Sequence, residues 1–258
     1  MNKRCIAYVL SAVLLLAGCQ SKEQEITISA AASLTDVLEE VVILFEQEYP
    51  SIQISLNLGG SGALSQQIIQ GAPADIFLSA SIDKFDLVRH EGLLDGQFIQ
   101  PLVMNKLVWI QAKGTTSFKT IDQINRIAIG TPESVPAGKY AKEAFTDIEI
   151  FTKLESKFVY TKDVRQVLQY VETENVDAGI VYQTDAEISE AVQINKELPL
   201  GEYDPIIYPV GILKETQQKE AAETFYRFLQ TEEVIELFKQ YGFLEIDGDI
   251  DGSIFSTN

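Results

Sequence analysis

Hydrophobic positions along this chain switch repeatedly between the alternation of a half-buried strand and the three-and-four spacing of an amphipathic helix. Ile26-Thr27-Ile28-Ser29 alternates as a strand. Leu34, Val37, Leu38, Val41, Val42 and Phe45 then recur at helical spacing, and the helix must stop before Pro50. Further strands are expected at Ile52–Leu58, Asp75–Leu78, Lys106–Gln111, Ile127–Gly130, Phe158–Tyr160, Ala178–Val181 and Ile206–Leu213. Helices are expected near Ala63–Gln70, Ile82–His90, Ala137–Phe145, Val164–Glu172, Gln217–Leu229 and Glu232–Tyr241. Strands interleaved with helices of this length favour α/β architecture with mostly parallel sheets covered on both faces. Pro205 and Pro209 place the Ile206–Leu213 strand at an edge or a crossover, because proline cannot donate to a ladder. No repeat, low-complexity tract or Pro/Gly/Ser linker marks a domain boundary.

The N-terminus follows a different pattern. Lys3 and Arg4 precede an apolar run from Ile6 to Ala17, too short to span a bilayer and typical of a secretory signal. The run ends in Leu16-Ala17-Gly18-Cys19, which resembles the lipobox of bacterial lipoproteins. That resemblance implies cleavage before Cys19, lipidation of Cys19, anchoring at the outer face of the cell membrane or in the periplasm, and a polar tether over Gln20–Glu25. Eighteen residues would be removed from 258, leaving 240 for one large or two modest domains.

Composition narrows the chemistry. The only cysteines, Cys5 and Cys19, lie in the export segment, so the body has no disulfide, thiolate nucleophile or Cys-based metal site. A single histidine, His90, on a helix whose pattern puts it at the surface, makes His-based metal and triad chemistry poor fits. The net charge is −18, and −20 without Lys3 and Arg4, which argues against nucleic acid as a partner. It does not exclude a small anion. At physiological salt the Debye length is about 8 Å, so distant carboxylates barely reach a closed cleft.

Three strand-to-helix junctions offer anion-binding chemistry. Ser33 precedes the first helix, Ser61 sits within Gly59-Gly60-Ser61-Gly62, and Val135-Pro136-Ala137-Gly138 opens a later helix with Pro at a position suited to the first turn. Helix N-termini present unpaired N–H groups and a positive dipole end, and small residues let an oxyanion approach the backbone. Each junction is equally readable as a capped helix start. The glycine turn lacks both the Gly-Lys-Ser/Thr ending and the G-x-G-x-x-G spacing of nucleotide loops.

Five segments taken together sharpen this. Ala30-Ala31-Ala32-Ser33-Leu34, Gly71-Ala72-Pro73-Ala74-Asp75-Ile76-Phe77, Val135-Pro136-Ala137-Gly138-Lys139-Tyr140-Ala141, Asp163-Val164-Arg165 and Gly179-Ile180-Val181-Tyr182 resemble, in order, the molybdate-binding proteins of ABC transporters. The match runs from about Ile26 to Phe243. It implies a two-lobed periplasmic-binding-protein fold of type II that closes by hinge motion, with 26–104 and 205–244 in one lobe and 105–204 in the other. It also implies a monomer that takes up molybdate or tungstate, uses no cofactor and hands its ligand to an ABC permease. By position, Ser33 and Ser61 would donate from the first lobe, Ala137 and Val164 would offer backbone N–H groups from the second, and Tyr182 would donate its phenol. Asp75 and Asp163 fall within the motifs as caps or loop anchors, and Arg165 as a structural residue.

All five donors are neutral, which suits an anion carrying no proton. A protonated oxyanion would bring a buried donor with no acceptor, at a cost of about 1–3 kcal/mol. Sulfate passes that filter, so a receptor for sulfate or another tetrahedral oxyanion is the nearest alternative. A secreted hydrolase and an adhesion lipoprotein are the alternatives of other classes. The adhesion reading leans on Asp247-Gly248-Asp249-Ile250-Asp251-Gly252, which has the opening spacing of an EF-hand loop but ends in Asn258 where the bidentate Glu belongs. An acidic tail over 245–258 is the expectation.

Overall fold

A computed structural model describes residues 24–116, 118, 120–198, 204–246 and 255. The signal, lipobox and tether expectations for residues 1–23 and the Asp247–Gly252 motif lie outside the described residues.

The first strand, β1 (Gln24–Ala31), buries Ile26, Ile28 and Ala30 completely. A 3-10 turn over Ala32–Leu34 leads into α1 (Thr35–Glu48), whose Val37, Leu38, Val41 and Phe45 form one buried stripe. Each such side chain contributes about 1.5–3 kcal/mol when taken fully from water. Parallel strands β2 (Ile52–Gly59) and β3 (Ile76–Leu78) flank β1, with Ile28 opposite Leu56 on one side and Ile76 on the other. Helix α2 (Ser61–Ile69) follows β2 and α3 (Ile82–His90) follows β3. A long strand, β4 (Leu94–Asn105), completes this lobe's first pass.

The chain then crosses at Lys106 into a second unit of β5 (Leu107–Ala112), β6 (Ile127–Gly130), α4 (Pro136–Asp147), α5 (Phe151–Leu154), β7 (Phe158–Thr161), α6 (Val164–Glu172), β8 (Ala178–Tyr182), α7 (Gln183–Glu187) and β9 (Val192–Glu197). It returns as β10 (Ile206–Leu213), which enters the first sheet, and ends in α8 (Lys219–Phe228) and α9 (Glu232–Gln240). Helix α8 packs on β10 and β1, and α9 on α1. Phe45 meets Phe225 and Phe228 edge-on at 4.9 and 5.3 Å between ring centroids.

The two sheets have matching orders, β2-β1-β3-β10-β4 and β7-β6-β8-β5-β9. They are mixed rather than mostly parallel. In each, two of the four pairings are antiparallel, because β10 and β5 are crossing strands that enter from the other lobe's side. Nor is β10 an edge strand. It lies between β3 and β4, and its Pro209 is accommodated at a register shift opposite Pro101. Where the proline withholds an N–H, its carbonyl still accepts from Ser79 N at 3.1 Å. Strands β4 and β9 were not expected from the pattern. β4 carries Asp95, Gly96 and Gln97 near its start and Pro101 midway, and its burial does not alternate.

Two contacts stiffen the crossover. Met104 and Leu244 exchange backbone hydrogen bonds of 2.8 and 2.9 Å, and Gln183 N donates to Lys106 O at 2.9 Å. Among the described residues no helix is long and apolar enough to cross a membrane.

Candidate functional site

The carboxyl ends of β1, β2 and β3 face those of β6, β7 and β8 across a cleft, the position where open α/β sheets gather their ligands. Each strand end feeds a helix start. β1 runs into the turn holding Ser33, β2 into Gly60-Ser61, β7 into Asp163-Val164, and β6 through a short loop into Val135-Pro136. Ala31, Ala32, Ser33, Gly59, Gly60, Ser61 and Ala80 from one lobe meet Val135, Pro136, Asp163, Val164 and Tyr182 from the other around a small cavity of about 10 Å³.

The lobes are closed on each other. Gly62 N donates to Ser134 O at 2.9 Å across the cleft. A side chain at either neighbouring glycine would block this approach. A Cβ on Gly62 would sit 2.6 Å from Ser134 O, and one on Gly60 would sit 2.7 Å from Lys162 O. Arg165, in the first turn of α6, donates from Nε to Ala32 O at 3.2 Å and from Nη2 to Asp36 on the facing lobe. Its Nε also lies 2.9 Å from the buried Asp185, without the alignment of a hydrogen bond to it. Burial pushes the Asp185 carboxyl up to about 6, against the pull of Arg165.

Four of the five expected residues line the cavity: Ser33, Ser61, Val164 and Tyr182. The fifth, Ala137, does not; Pro136, its neighbour in the same first turn, does. Ala137 and Val164 both occupy first-turn positions, where a backbone N–H has no intrahelical acceptor. Asp163 caps α6 by accepting from Gln166 N at 2.8 Å, as a cap should. Asp75 anchors a loop, accepting from Thr27 N at 2.7 Å and from the Thr216 hydroxyl. His90 is exposed at the end of α3.

The lining donates. No Lys, Arg or His is among the residues around the cavity, and Asp163, its one acid, is engaged in its cap. Ser61 Oγ accepts from Ala80 N at 2.9 Å, which leaves the hydroxyl proton to be given elsewhere. Tyr182 is fully buried, and its hydroxyl has no hydrogen-bond partner. Burial pushes its phenol well above the usual range, so it keeps its proton and remains a donor. Among the described residues no group of three His, Cys, Asp or Glu side chains could hold a metal ion. Nor does a nucleophile here sit beside a general base of the Ser–His kind.

A model of the bacterial extracellular solute-binding protein family matches residues 26–244. The chain belongs to that family. This solute-binding protein is 46% identical over 246 residues to YvgL of Bacillus subtilis (strain 168), named as a candidate ABC transporter substrate-binding lipoprotein, covering 91% of this chain and 95% of that one. It is 33% identical over 231 residues to the molybdate-binding protein ModA of Escherichia coli (strain K12), covering 86% and 89%. Among solved structures, the periplasmic molybdate-binding protein of Azotobacter vinelandii superposes with a TM-score of 0.79 at 23% identity, covering 86% of this chain and all of the other. That last likeness speaks for the two-lobed fold alone.

Residues the sequence did not single out complete the surroundings. Ala80 forms a wall beside Gly60 and Pro136, which the junction motifs had already marked, and Tyr208 and Asn105 stand behind Ser33. The glycines lay in a turn already marked by its composition. Tyr208 and Asn105 carried no local signal, since their partners lie 79 to 175 residues away in sequence.

Proposed function

We propose that this solute-binding protein captures molybdate or tungstate outside the cytoplasm and delivers it to the permease of an ABC importer. Ser33 and Ser61 would give hydroxyl protons, Ala137 and Val164 backbone N–H groups, and Tyr182 its phenolic proton. The observation that carries the reading is the Tyr182 hydroxyl, buried at a closed interlobe cavity without a partner. An unsatisfied buried donor costs about 1–3 kcal/mol, and an anion in the cavity would remove that cost. The neutral, donating lining supports the same reading, as does the similarity to a relative named for molybdate binding.

A ligand that binds only the folded state at a thousand times its Kd stabilises by about 4 kcal/mol. Molybdate and tungstate should therefore raise the melting temperature strongly, sulfate less and phosphate little. Equal shifts with sulfate would favour a general oxyanion receptor, and no shift with any of them would remove the proposal. We further propose a lipid anchor at Cys19. Incorporation of labelled lipid into wild type, and its loss in Cys19→Ser, tests that part separately.

A further inference from the structure

The contacts that hold the two lobes together lie beside the cavity's donors rather than among them. Gly62, next to Ser61, donates to Ser134 O, two residues before the start of α4. The other contact is made by Arg165, one residue after Val164 in the first turn of α6. Its guanidinium reaches the facing lobe at two points, giving Nε to Ala32 O at 3.2 Å and Nη2 to the Asp36 carboxylate. Ala32 precedes Ser33, and Asp36 stands three residues beyond it in the first turn of α1, so Arg165 grips the chain on either side of that serine. Among the described residues, Arg165–Asp36 is the only ion pair that joins the lobes.

Arg165 is itself held from behind. Asp185 is completely buried, and its Oδ1 lies 2.9 Å from Arg165 Nε, while its Oδ2 accepts from Tyr182 N at 3.3 Å. The two carboxylates are unequal partners. Asp185 has no access to water, and losing its counter-ion would leave a buried acid unpaired. The Asp36 side chain is 37% exposed and can exchange Arg165 for water. When the lobes separate, Arg165 therefore stays with Asp185 in its own lobe, and the bond to Asp36 is the one that breaks. The guanidinium is ordered in advance, so less freedom is lost when the lobes meet.

We infer that Arg165 and Asp36 form an interlobe latch that holds the Ser33 turn against the start of α6 and slows release of the bound anion, with Asp185 keeping Arg165 in place. This rests on the oxyanion reading of the same cavity and deepens it by naming what sets the residence time. Neither Arg165 nor Asp36 lines the cavity, so both are positioning residues. The ligand enters between separated lobes, where the latch is not made, and leaves only after it has broken. Its effect therefore falls on dissociation and hardly on association. With side chains 24% and 37% exposed, the pair remains within reach of solvent, and its contribution is modest rather than dominant.

The test is a double-mutant cycle of Asp36→Ala and Arg165→Met, the second keeping the apolar stem. Each protein is loaded with labelled molybdate and chased with an excess of unlabelled molybdate, and association is timed separately by rapid mixing. Each single substitution should speed release about 3- to 10-fold and change the association rate less than about 2-fold. The double variant should release no faster than the faster single one, because either change already breaks the latch. General damage would instead multiply the two effects. Should Arg165→Met fail to fold for want of a partner to Asp185, the half-exposed Asp36 decides alone: Asp36→Ala should release faster, and Asp36→Glu should restore slow release at least in part. Release at wild-type speed from Asp36→Ala, or single effects that multiply in the double variant, overturns the latch and leaves the oxyanion reading standing. A wild type that holds sulfate but not molybdate overturns the choice of metalate, and the cycle is then read with labelled sulfate. A wild type that holds neither overturns both.

Discussion

Gly62→Ala separates closure of the lobes from their folding. The added Cβ would lie 2.6 Å from Ser134 O, 2.9 Å from Ser134 Cα and 3.0 Å from Ser134 C, all backbone atoms of the facing lobe. Backbone cannot swing aside as a flexible side chain can, so the lobes must stay further apart. Overpacking of this kind costs about 1–3 kcal/mol. Separation also sacrifices the Gly62 N to Ser134 O hydrogen bond, worth about 0.5–1.5 kcal/mol net. The closed form should lose about 2–4 kcal/mol relative to the open one, and at 1.4 kcal/mol per tenfold the molybdate Kd should rise roughly 30- to 1000-fold. An open form with the lobes apart would meet no such clash. There, replacing a glycine in α2 at negative φ should stabilise folding by about 0.4–1 kcal/mol. Calorimetry gives the first quantity and urea unfolding of the ligand-free protein the second. A Gly62→Ala variant with wild-type affinity would mean that binding does not require these lobes to touch at Ser134, and the reasoning would fail there.

Three further expectations follow from single residues. Tyr182→Phe removes a hydroxyl that has no partner in the ligand-free cavity, so ligand-free stability should hold or rise while molybdate affinity falls by roughly 1.5–3 kcal/mol, the worth of a bond to a charged group; a loss of ligand-free stability would mean the hydroxyl is already satisfied. Asp185 has a folded-state value of about 6 against 3.8 for the free carboxyl, so the folded protein holds that proton where the unfolded chain has released it. Stability should therefore fall as pH rises from about 4 through about 6, by up to roughly 3 kcal/mol relative to Asp185→Asn; denaturant midpoints that stay parallel across this range would exclude the effect. Asp163→Ala removes the cap from α6 and should cost about 1 kcal/mol in urea unfolding, with no change there if Gln166 N finds water instead.

Much of the cavity's lining could be read before any coordinates because its residues announce themselves locally. Ser33, Ser61 and Val164 stand where a strand period gives way to a helix period, and the backbone at such junctions donates whatever the side chain. Tyr182 ends a buried run, Ala178–Tyr182, as the one polar side chain in it. Ala137 is not among the residues that line the cavity, but its backbone N–H stands in the same first turn as Pro136, which is. What stayed hidden is what depends on pairing at long range. That β10 slips between β3 and β4, and so reverses half of the sheet, follows from a chain that leaves for the second lobe and returns. The pattern of Ile206–Leu213 is the same for an edge strand as for this interior one. Arg165 looked structural, and it is, yet its place across the cleft from Ala32 and Asp36 makes it part of closure as well.

The way the first lobe is stitched has a consequence for how the protein is made. Its sheet draws β1 to β4 from the front of the chain and β10 from near the end, and among the described strands β4 pairs with β10 alone. The second lobe is one uninterrupted stretch, β5 to β9. A chain emerging N-terminus first through an export channel can assemble that second unit early. The earlier-arriving strands must wait, with β4 unpaired, until Leu213 and the closing helices have come through.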